Sequence, residues 1–345
     1  MKKMLALLLA LVMVLSLAAC ASSQPAAAST ETAETTETTE PAAEESAEAP
    51  AESGKTYTVG VCQLVQHEAL DAATQGFIDA LKEELGDAVT VDVQNASGDS
   101  VNCGTIVNGF VSKGVDLIMA NATPALTAAV SATADIPILG TSITAYGVAL
   151  DIDDFNGTVG GNISGTSDLA DLQAQAQMIL DWFPETKTVG LLFCSAEPNS
   201  RYQIDEVRKA LEAQGVTCEE FAFTDSNDVS SVTQKAADFS DVVYIPTDNT
   251  AASNTEAIAN VLIPAGVPAI CGEEGLCRGC GVATLSISYY DLGVTTGKMA
   301  AKILKGEADI STMPVEYTDA TPKYNASVCE QLGITPLDGY EAIDG

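Results

Sequence analysis

The sequence predicts an α/β protein made of two Rossmann-like lobes, each built on a parallel sheet, with a hinge between them. Three observations predict it. Apolar strand patterns alternate with amphipathic helix patterns along the body of the chain. One strand–helix plan occurs twice, and polar residues follow directly after buried strands, where parallel sheets hold ligands.

Strand and helix patterns alternate through the first half of the body. Apolar residues recur at intervals of three and four from Leu70 to Leu85, which predicts an amphipathic helix ending at Gly86. The other predicted elements are strand 56–62 before that helix, then strand 89–93, helix 100–112, strand 116–120, a helix that Thr123 caps and Pro124 begins, and strand 136–139.

Short motifs recur between the two halves. The run Thr56-x-Thr-Val-Gly60 returns as Thr186-x-Thr-Val-Gly190. Further along, Asp116 and Asp241 each precede an apolar strand, a polar loop and a helix. Two copies of one plan predict two lobes whose strand ends can face each other across a cleft, and chance matching of short runs is the alternative.

The second copy contains the clearest candidate for a binding loop. Residues 242–245 are apolar and predict a strand buried on both faces, which stops at Pro246. Asp248 and Asn249 follow, at the end of the strand where a parallel sheet opens into a crevice, so we expect them to contact a ligand. The alternative is that Asp248 or Thr250 only caps the next helix.

The N-terminus has the pattern of an export signal. Lys2 and Lys3 precede an apolar run over residues 4–17, which is too short to span a bilayer comfortably. Leu-Ala-Ala then leads directly into Cys20, the pattern of a bacterial lipoprotein whose cysteine is lipidated. We expect residues 1–20 to be this signal, and an ordinary signal peptide with a chance cysteine is the alternative.

Residues 21–54 are almost wholly Ala, Ser, Thr, Glu and Pro. Such a segment cannot bury enough apolar surface to offset its ordering entropy, so we expect a disordered acidic tether. The remaining body is long enough for two lobes. We expect an N-terminal lobe of residues 55–165 plus 285–312 and a C-terminal lobe of residues 166–284 plus 313–345, with crossings near Gly165-Thr166, Thr284-Leu285 and Thr312-Met313.

The net charge of −33 argues against nucleic acid as a partner and against adhesion to anionic lipid. Cys271, Cys277 and Cys280 suggest a metal site. A structural zinc site needs four ligands at the spacing of a zinc finger, however, and His67, the only histidine, is far away in sequence. We therefore expect no metal. A Cys277–Cys280 or Cys271–Cys280 disulfide remains possible, as do free thiols.

Signals for an enzyme are weak, and we expect neither catalysis nor a cofactor. The run from Gly293 to Met299 resembles a phosphate-binding loop, but it is one residue short and lacks Ser or Thr after Lys298. It also lies in a helical pattern. There is no G-x-S-x-G motif, and one loop histidine gives little base for a catalytic triad. The adjacent acids Glu273 and Glu274 could in principle perform acid–base chemistry.

Six segments carry a family resemblance: QHEALDAATQGFIDALKEEL, ANATPALTAAV, SGTSDL, YIPTDNTAASNTEAI, GEEG and SYYDLGVTTGKMAAKILKGE. In order and spacing they resemble the ABC-transporter substrate-binding lipoproteins whose characterised members bind tryptophan, tyrosine or phenylalanine. The likeness runs from about Lys55 to Gly333. The chain departs from the family pattern at Ile143-Thr-Ala-Tyr146, where Thr-Asp-Pro is usual, and at Gly272-Glu-Glu274, where Gly-Asp-Glu is common.

The resemblance implies a type I fold like that of periplasmic binding proteins, with an aromatic amino acid held in the cleft between the lobes. It further implies an extracytoplasmic monomer, anchored to the cell membrane through lipid on Cys20, that delivers its ligand to an ABC permease. Two alternatives stay open. The chain could be a signalling or adhesion lipoprotein of the same fold, or a sugar-binding protein.

An amino acid needs acceptors for its ammonium group and donors for its carboxylate. Carboxylates and amides at strand ends of the second lobe can accept from the ammonium, and free backbone N–H groups at helix starts can bind the carboxylate. Each candidate has the alternative of a helix cap or a solvated loop. The candidates are Asp248, Asn249 and Glu273 or Glu274 for the ammonium, Thr123-Pro124 and Asn199-Ser200 for the carboxylate, and His67 and Ser195, beside Glu68 and Glu197, at the rim.

Overall fold

The computed structural model describes residues 54–343. The predicted signal with Cys20, and the predicted tether as far as residue 53, lie outside this range. Among the helices of residues 54–343, none combines the length and the hydropathy needed to cross a membrane.

Thirteen strands and twelve α-helices alternate along the described chain. The strands are β1 (Tyr57–Gln63), β2 (Val89–Asn95), β3 (Leu117–Asn121), β4 (Ile138–Ile143), β5 (Ile163–Ser167), β6 (Thr188–Cys194), β7 (Thr217–Phe223), β8 (Val242–Ile245), β9 (Ala269–Cys271), β10 (Ala283–Ile287), β11 (Glu316–Tyr317), β12 (Ala320–Tyr324) and β13 (Glu341–Ala342).

The helices fill the intervals between the strands, with short 3₁₀ turns at Gly86–Ala88 and Ile310–Thr312. They are α1 (Glu68–Leu85), α2 (Ser100–Lys113), α3 (Thr123–Ala132), α4 (Tyr146–Ala149), α5 (Leu172–Trp182), α6 (Pro198–Glu212), α7 (Val229–Phe239), α8 (Asn249–Ala252), α9 (Thr255–Ala265), α10 (Glu274–Cys280), α11 (Tyr289–Lys305) and α12 (Ala326–Leu332).

These elements form two sheets, and the predicted two-lobed α/β fold is confirmed. The first lobe has the strand order β11-β5-β4-β3-β1-β2, and all its neighbouring strands are parallel. The second lobe has the order β13-β12-β10-β9-β8-β6-β7. Its pair β10–β12 is antiparallel, which the prediction of parallel sheets did not include. The two strands are antiparallel because β12 begins at the cleft and runs away from it, whereas β10 runs toward the cleft.

The repeat in the sequence has a structural counterpart in the two lobes. The Asp116 carboxylate accepts a hydrogen bond from the backbone N–H of Thr58 at 2.7 Å, which ties the start of β3 to β1. The Asp241 carboxylate accepts from the backbone N–H of Thr188 at 2.9 Å, which ties the start of β8 to β6 in the same way. The two aspartates, at matching positions of the repeat, therefore form the same contact between neighbouring strands in each lobe.

The chain crosses between the sheets three times. It leaves the first sheet after Ser167, leaves the second after Ile287, and leaves the first again after Tyr317. The crossings at Asp168, Ser288 and residues 318–319 lie a few residues beyond the expected positions. The first two expected positions lie inside strands β5 and β10, and the third lies at the end of the 3₁₀ turn at Ile310–Thr312, so each comes before the chain changes sheet.

Two glycines of the phosphate-loop-like run serve helix packing instead. A Cβ on Gly293 would lie 2.0 Å from the Ala73 carbonyl oxygen, and one on Gly297 would lie 2.7 Å from the Phe77 carbonyl oxygen. Both belong to α11, and both carbonyls belong to α1. The glycines therefore allow α1 and α11 to approach closely, which agrees with the helical interpretation of this run.

Two local expectations need correction. Thr123 is the first residue of α3 and not its cap, because Ala122 occupies the cap position with φ of 87° and no side chain caps the helix. The eight described cysteines are free thiols, so neither possible disulfide is formed. Cys271, Cys277 and Cys280 are buried within the apolar core of the second lobe.

Candidate functional site

The two lobes enclose a narrow cavity at the carboxyl ends of their strands. Clefts between two domains are preferred places for small ligands to bind. The first lobe and the first crossing contribute His67, Leu70, Ser142, Thr144, Asp168 and Tyr289. The second lobe contributes Asn199, Thr247, Asp248, Asn249, Ala252 and Glu273. No Lys or Arg is among these lining residues.

Four buried polar atoms in this wall lack a hydrogen-bond partner within the described chain. They are His67 Nδ1, Ser142 Oγ, Asp168 Oδ1 and Asn199 Oδ1. An unsatisfied buried polar group costs roughly 1–3 kcal/mol. Four such groups around one cavity indicate a site that a polar ligand completes.

Asp168 is the residue that sequence reasoning missed. It follows β5 at the first crossing and is buried, and burial raises the pKa of its carboxyl. The Tyr289 hydroxyl donates to Oδ2 at 2.9 Å, which leaves Oδ1 unpaired at the cavity. Its position after a buried strand, in the segment SGTSDL, was the available signal.

Asp248 lines the cavity, but its oxygens already have backbone partners. Oδ1 accepts from the N–H of Ala251 at 2.8 Å, so the residue caps α8, and Oδ2 accepts from the N–H of Cys194 at 2.6 Å. Burial and the nearby Glu197 carboxylate raise the pKa of Asp248, and the two N–H bonds oppose the rise. The helix-cap alternative therefore describes its observed contacts, and contact with a ligand stays a prediction.

Glu197 holds the first turn of α8 in place. Its Oε1 accepts from the backbone N–H and the hydroxyl of Thr250, both at 2.8 Å. Its Oε2 accepts from Asn249 Nδ2 at 2.7 Å and from the Asn249 backbone N–H at 3.0 Å. This buried carboxylate, predicted only as a rim residue, is the main support for the loop after β8.

Two contacts join the lobes beside the cavity. His67 Nε2 lies 3.2 Å from Asn249 Oδ1, and Arg278 Nε lies 3.0 Å from Glu68 Oε1. His67 and Glu68 begin α1 in the first lobe, whereas the partners belong to the second. The lobes are therefore closed on the cavity. Loss of hydration lowers the pKa of His67 despite its contact with Asn249.

The two adjacent glutamates have different positions. Glu273 lines the cavity and caps α10, where its carboxylate accepts from the backbone N–H groups of Gly275 and Leu276. Glu274 points away and pairs with Arg278 at 2.9 Å and Lys323 at 2.6 Å. Of the two predicted alternatives, Glu273 is the residue at the cavity.

Several other predicted contacts lie outside the cavity. Ser195 is exposed, and its hydroxyl donates to the Phe223 carbonyl oxygen at 3.1 Å. Thr123 is buried at the start of α3, and Pro124 lines a neighbouring groove. Asn199 lines the cavity, whereas Ser200 is buried and its hydroxyl forms a hydrogen bond with the Asp248 carboxylate.

The aromatic side chains also divide between cavity and core. Tyr289 lines the cavity, whereas Tyr146 and Tyr202 line a second groove next to it. Tyr244 is buried in the second lobe, where its hydroxyl donates to Gln175 Oε1 at 2.6 Å. Trp182 packs edge-on against Tyr340, with ring centroids 5.1 Å apart.

Two α/β lobes that close on a small carboxylate-walled cavity at their strand ends define a two-lobed solute-binding protein of the type I periplasmic fold. The family comparison agrees, since the model of the ABC transporter substrate binding proteins matches residues 58–339. The chain belongs to this family. It is therefore a binding protein and not an enzyme, and members of this family act outside the cytoplasm.

Relatives with sequence similarity support the assignment. A tyrosine-binding protein of Clostridioides difficile (strain R20291) is 32% identical over 276 residues, which cover 78% of this chain and 79% of the relative. A crystal structure of an ABC domain from Streptococcus pneumonia in complex with L-Trp is 32% identical, covers 84% of this chain and 100% of that one, and has a TM-score of 0.79.

A third relative indicates the conformational state. It is the ligand-free, open structure of a substrate binding protein with adhesive properties from Clostridium difficile, 32% identical, covering 84% of this chain and 99% of its own, with a TM-score of 0.64. This open structure is as similar in sequence to the chain as the L-Trp complex is, yet its TM-score against the chain is lower. The difference agrees with the closed arrangement of the lobes described above.

Glu273 predicts a pH dependence of stability. Burial raises the pKa of its carboxyl from 4.5 to about 7. A raised folded-state pKa contributes stability that is complete below 4.5 and is lost as the pH rises through about 7. We therefore expect the melting temperature of the ligand-free protein to fall less between pH 4.5 and pH 8 in Glu273→Gln than in the wild type.

Thermal denaturation across this pH range measures the effect. Glu330→Gln, at an exposed position of α12, is the matched control and should keep the wild-type slope. Equal slopes for Glu273→Gln and the wild type would show that Glu273 does not retain its proton in the folded state.

Proposed function

We propose that this protein binds an aromatic amino acid, tyrosine, tryptophan or phenylalanine, in the cavity between its lobes. The observation that carries the proposal is the pair of unpaired acceptors, Asp168 Oδ1 and Asn199 Oδ1, in a cavity whose lining lacks Lys and Arg. An ammonium group donates three hydrogen bonds and carries the charge that a carboxylate wall favours. Relatives supply the class of ligand, since one is a tyrosine-binding protein and another was crystallised with L-Trp.

The remaining groups of the ligand have partners in the same wall. The Ser142 hydroxyl, unpaired and buried, can donate to the carboxylate of the amino acid. Leu70, Ala252 and the Tyr289 ring offer apolar surface to its side chain. In this arrangement Asp248 and Asn249 shape the wall, and Asp168 is the principal partner of the ammonium.

The proposal extends to the partners of the protein. We infer that it works as a monomer, that its two lobes open and close about the three crossings, and that it delivers its ligand to an ABC permease in the membrane. It needs no cofactor. Adhesion is a second candidate function, and the observation favouring it is the adhesive property of the relative from Clostridium difficile.

Replacing one carboxylate at a time tests the site. Asp168→Asn should weaken the binding of tyrosine and tryptophan by roughly a hundredfold, because loss of one partner of a buried charge costs about 3 kcal/mol or more. Asp248→Asn should change affinity only a few fold, since Asn still caps α8, while the melting temperature should fall because the Cys194 N–H loses its acceptor. Calorimetric titration of both variants, with leucine and a hexose as control ligands, gives the comparison.

Different results would favour the alternatives. A wild-type protein that binds a hexose tightly would be a sugar-binding protein, and one that binds no small molecule would favour adhesion. A greater loss of affinity in Asp248→Asn than in Asp168→Asn would show that the ammonium group binds at the loop after β8 and not at Asp168.

The proposed lipid anchor at Cys20 has its own test. Cys20→Ala should release the protein from membranes, because acyl chains contribute about 0.8 kcal/mol for each buried CH₂. Fractionation of cells that express each form measures the effect. Retention of Cys20→Ala in salt-washed membranes would reveal another anchor, and Ser23→Ala, three residues further along, is the matched control.

A further inference from the structure

The neighbours of the His67 ring determine which of its two nitrogens carries the hydrogen. Its Nε2 lies 3.2 Å from Asn249 Oδ1, and its Nδ1 is buried without a partner in the described chain. Which nitrogen carries the hydrogen depends on which atom of the Asn249 amide faces the ring. The orientation of this amide is set by its other neighbour, Glu197.

Glu197 decides it. Its Oε2 lies 2.7 Å from Asn249 Nδ2, and a carboxylate accepts hydrogen bonds, so the amide nitrogen must face Glu197. The two bonds from Thr250 to Oε1 hold this carboxylate in position. The amide oxygen of Asn249 therefore faces the imidazole, and Nε2 of His67 must donate to it.

An imidazole that donates through Nε2 has a free lone pair on Nδ1 when it is neutral. Loss of hydration favours the neutral ring, although the carboxylates of Glu197 and Asp71 oppose that effect. Nδ1 is thus a buried acceptor without a partner, on a side chain that lines the cavity. A ligand that brings a hydrogen-bond donor to it removes the cost of leaving it unpaired.

We propose that Nδ1 of His67 accepts a hydrogen bond from a ring O–H or N–H of the ligand and so selects tyrosine and tryptophan over phenylalanine. The inference rests on the proposed function. The ammonium is better matched to the Asp168 carboxylate, because charge-assisted bonds are the stronger ones, and Nδ1 is left for the side chain. A phenylalanine ring has no donor and leaves Nδ1 unpaired, which a polar site penalises.

Calorimetric titration of the wild type with tyrosine, tryptophan and phenylalanine is the first measurement. We expect phenylalanine to bind about tenfold more weakly than the other two, the effect of one buried hydrogen bond left unmade. Equal affinities for all three would overturn this inference and leave the proposed function standing. Failure of all three to bind would instead overturn the proposed function, and the inference with it.

His67→Gln is the decisive variant. The Gln amide nitrogen can take the place of Nε2 and donate to Asn249, but no acceptor remains at the position of Nδ1. We expect the affinities for tyrosine and tryptophan to fall about tenfold to the level of phenylalanine, whose affinity stays within about threefold. Equal loss for all three ligands would contradict the inference, since it would mean that Nδ1 meets the ammonium group.

His67→Asn is the matched control. Its side chain keeps a polar atom near Nδ1 and loses the contact with Asn249 across the cleft. All three ligands should then bind more weakly by a common factor, and the preference for a ring donor should remain. A preference lost in His67→Asn and kept in His67→Gln would overturn the inference. Melting temperatures within a few degrees of the wild type establish that both variants are folded.

Discussion

The site depends on one constraint: where the two lobes meet, several hydrogen-bonding groups are buried without partners. Asp168 Oδ1 and Asn199 Oδ1 are acceptors that lose water when the lobes close. Closure without a ligand therefore carries a cost, which a ligand with an ammonium group removes. The same cost links closure of the lobes to recognition of the ligand, because the buried acceptors are satisfied only when a ligand places hydrogen-bond donors against them.

The second lobe supplies the rigid part of this wall. Glu197 and Asp248 satisfy the backbone at the start of α8, and their bonds orient Asn249 toward the first lobe. The first lobe contributes the groups that close on it, His67 at the start of α1 and Asp168 at the crossing after β5. Selection of the ligand therefore depends on side chains that are themselves held by hydrogen bonds to neighbouring residues.

Much of the fold and part of the site could be predicted from the sequence. Alternating periodicities predicted the lobes, and the end of β8 pointed to Asp248 and Asn249, which line the cavity and whose contact with a ligand stays a prediction. Asp168 was missed because a crossing between sheets has no periodic signature. Neighbouring acids such as Glu273 and Glu274 look alike in sequence, and only the backbone direction at the start of α10 separates cavity from surface.

The most direct test is a crystal structure of the protein with tyrosine bound. We expect the ligand nitrogen about 3 Å from both Asp168 Oδ1 and Asn199 Oδ1, with the phenol oxygen within hydrogen-bonding distance of His67 Nδ1. A ligand whose ammonium group contacts neither oxygen, or a ligand bound outside the cavity between the lobes, would contradict it.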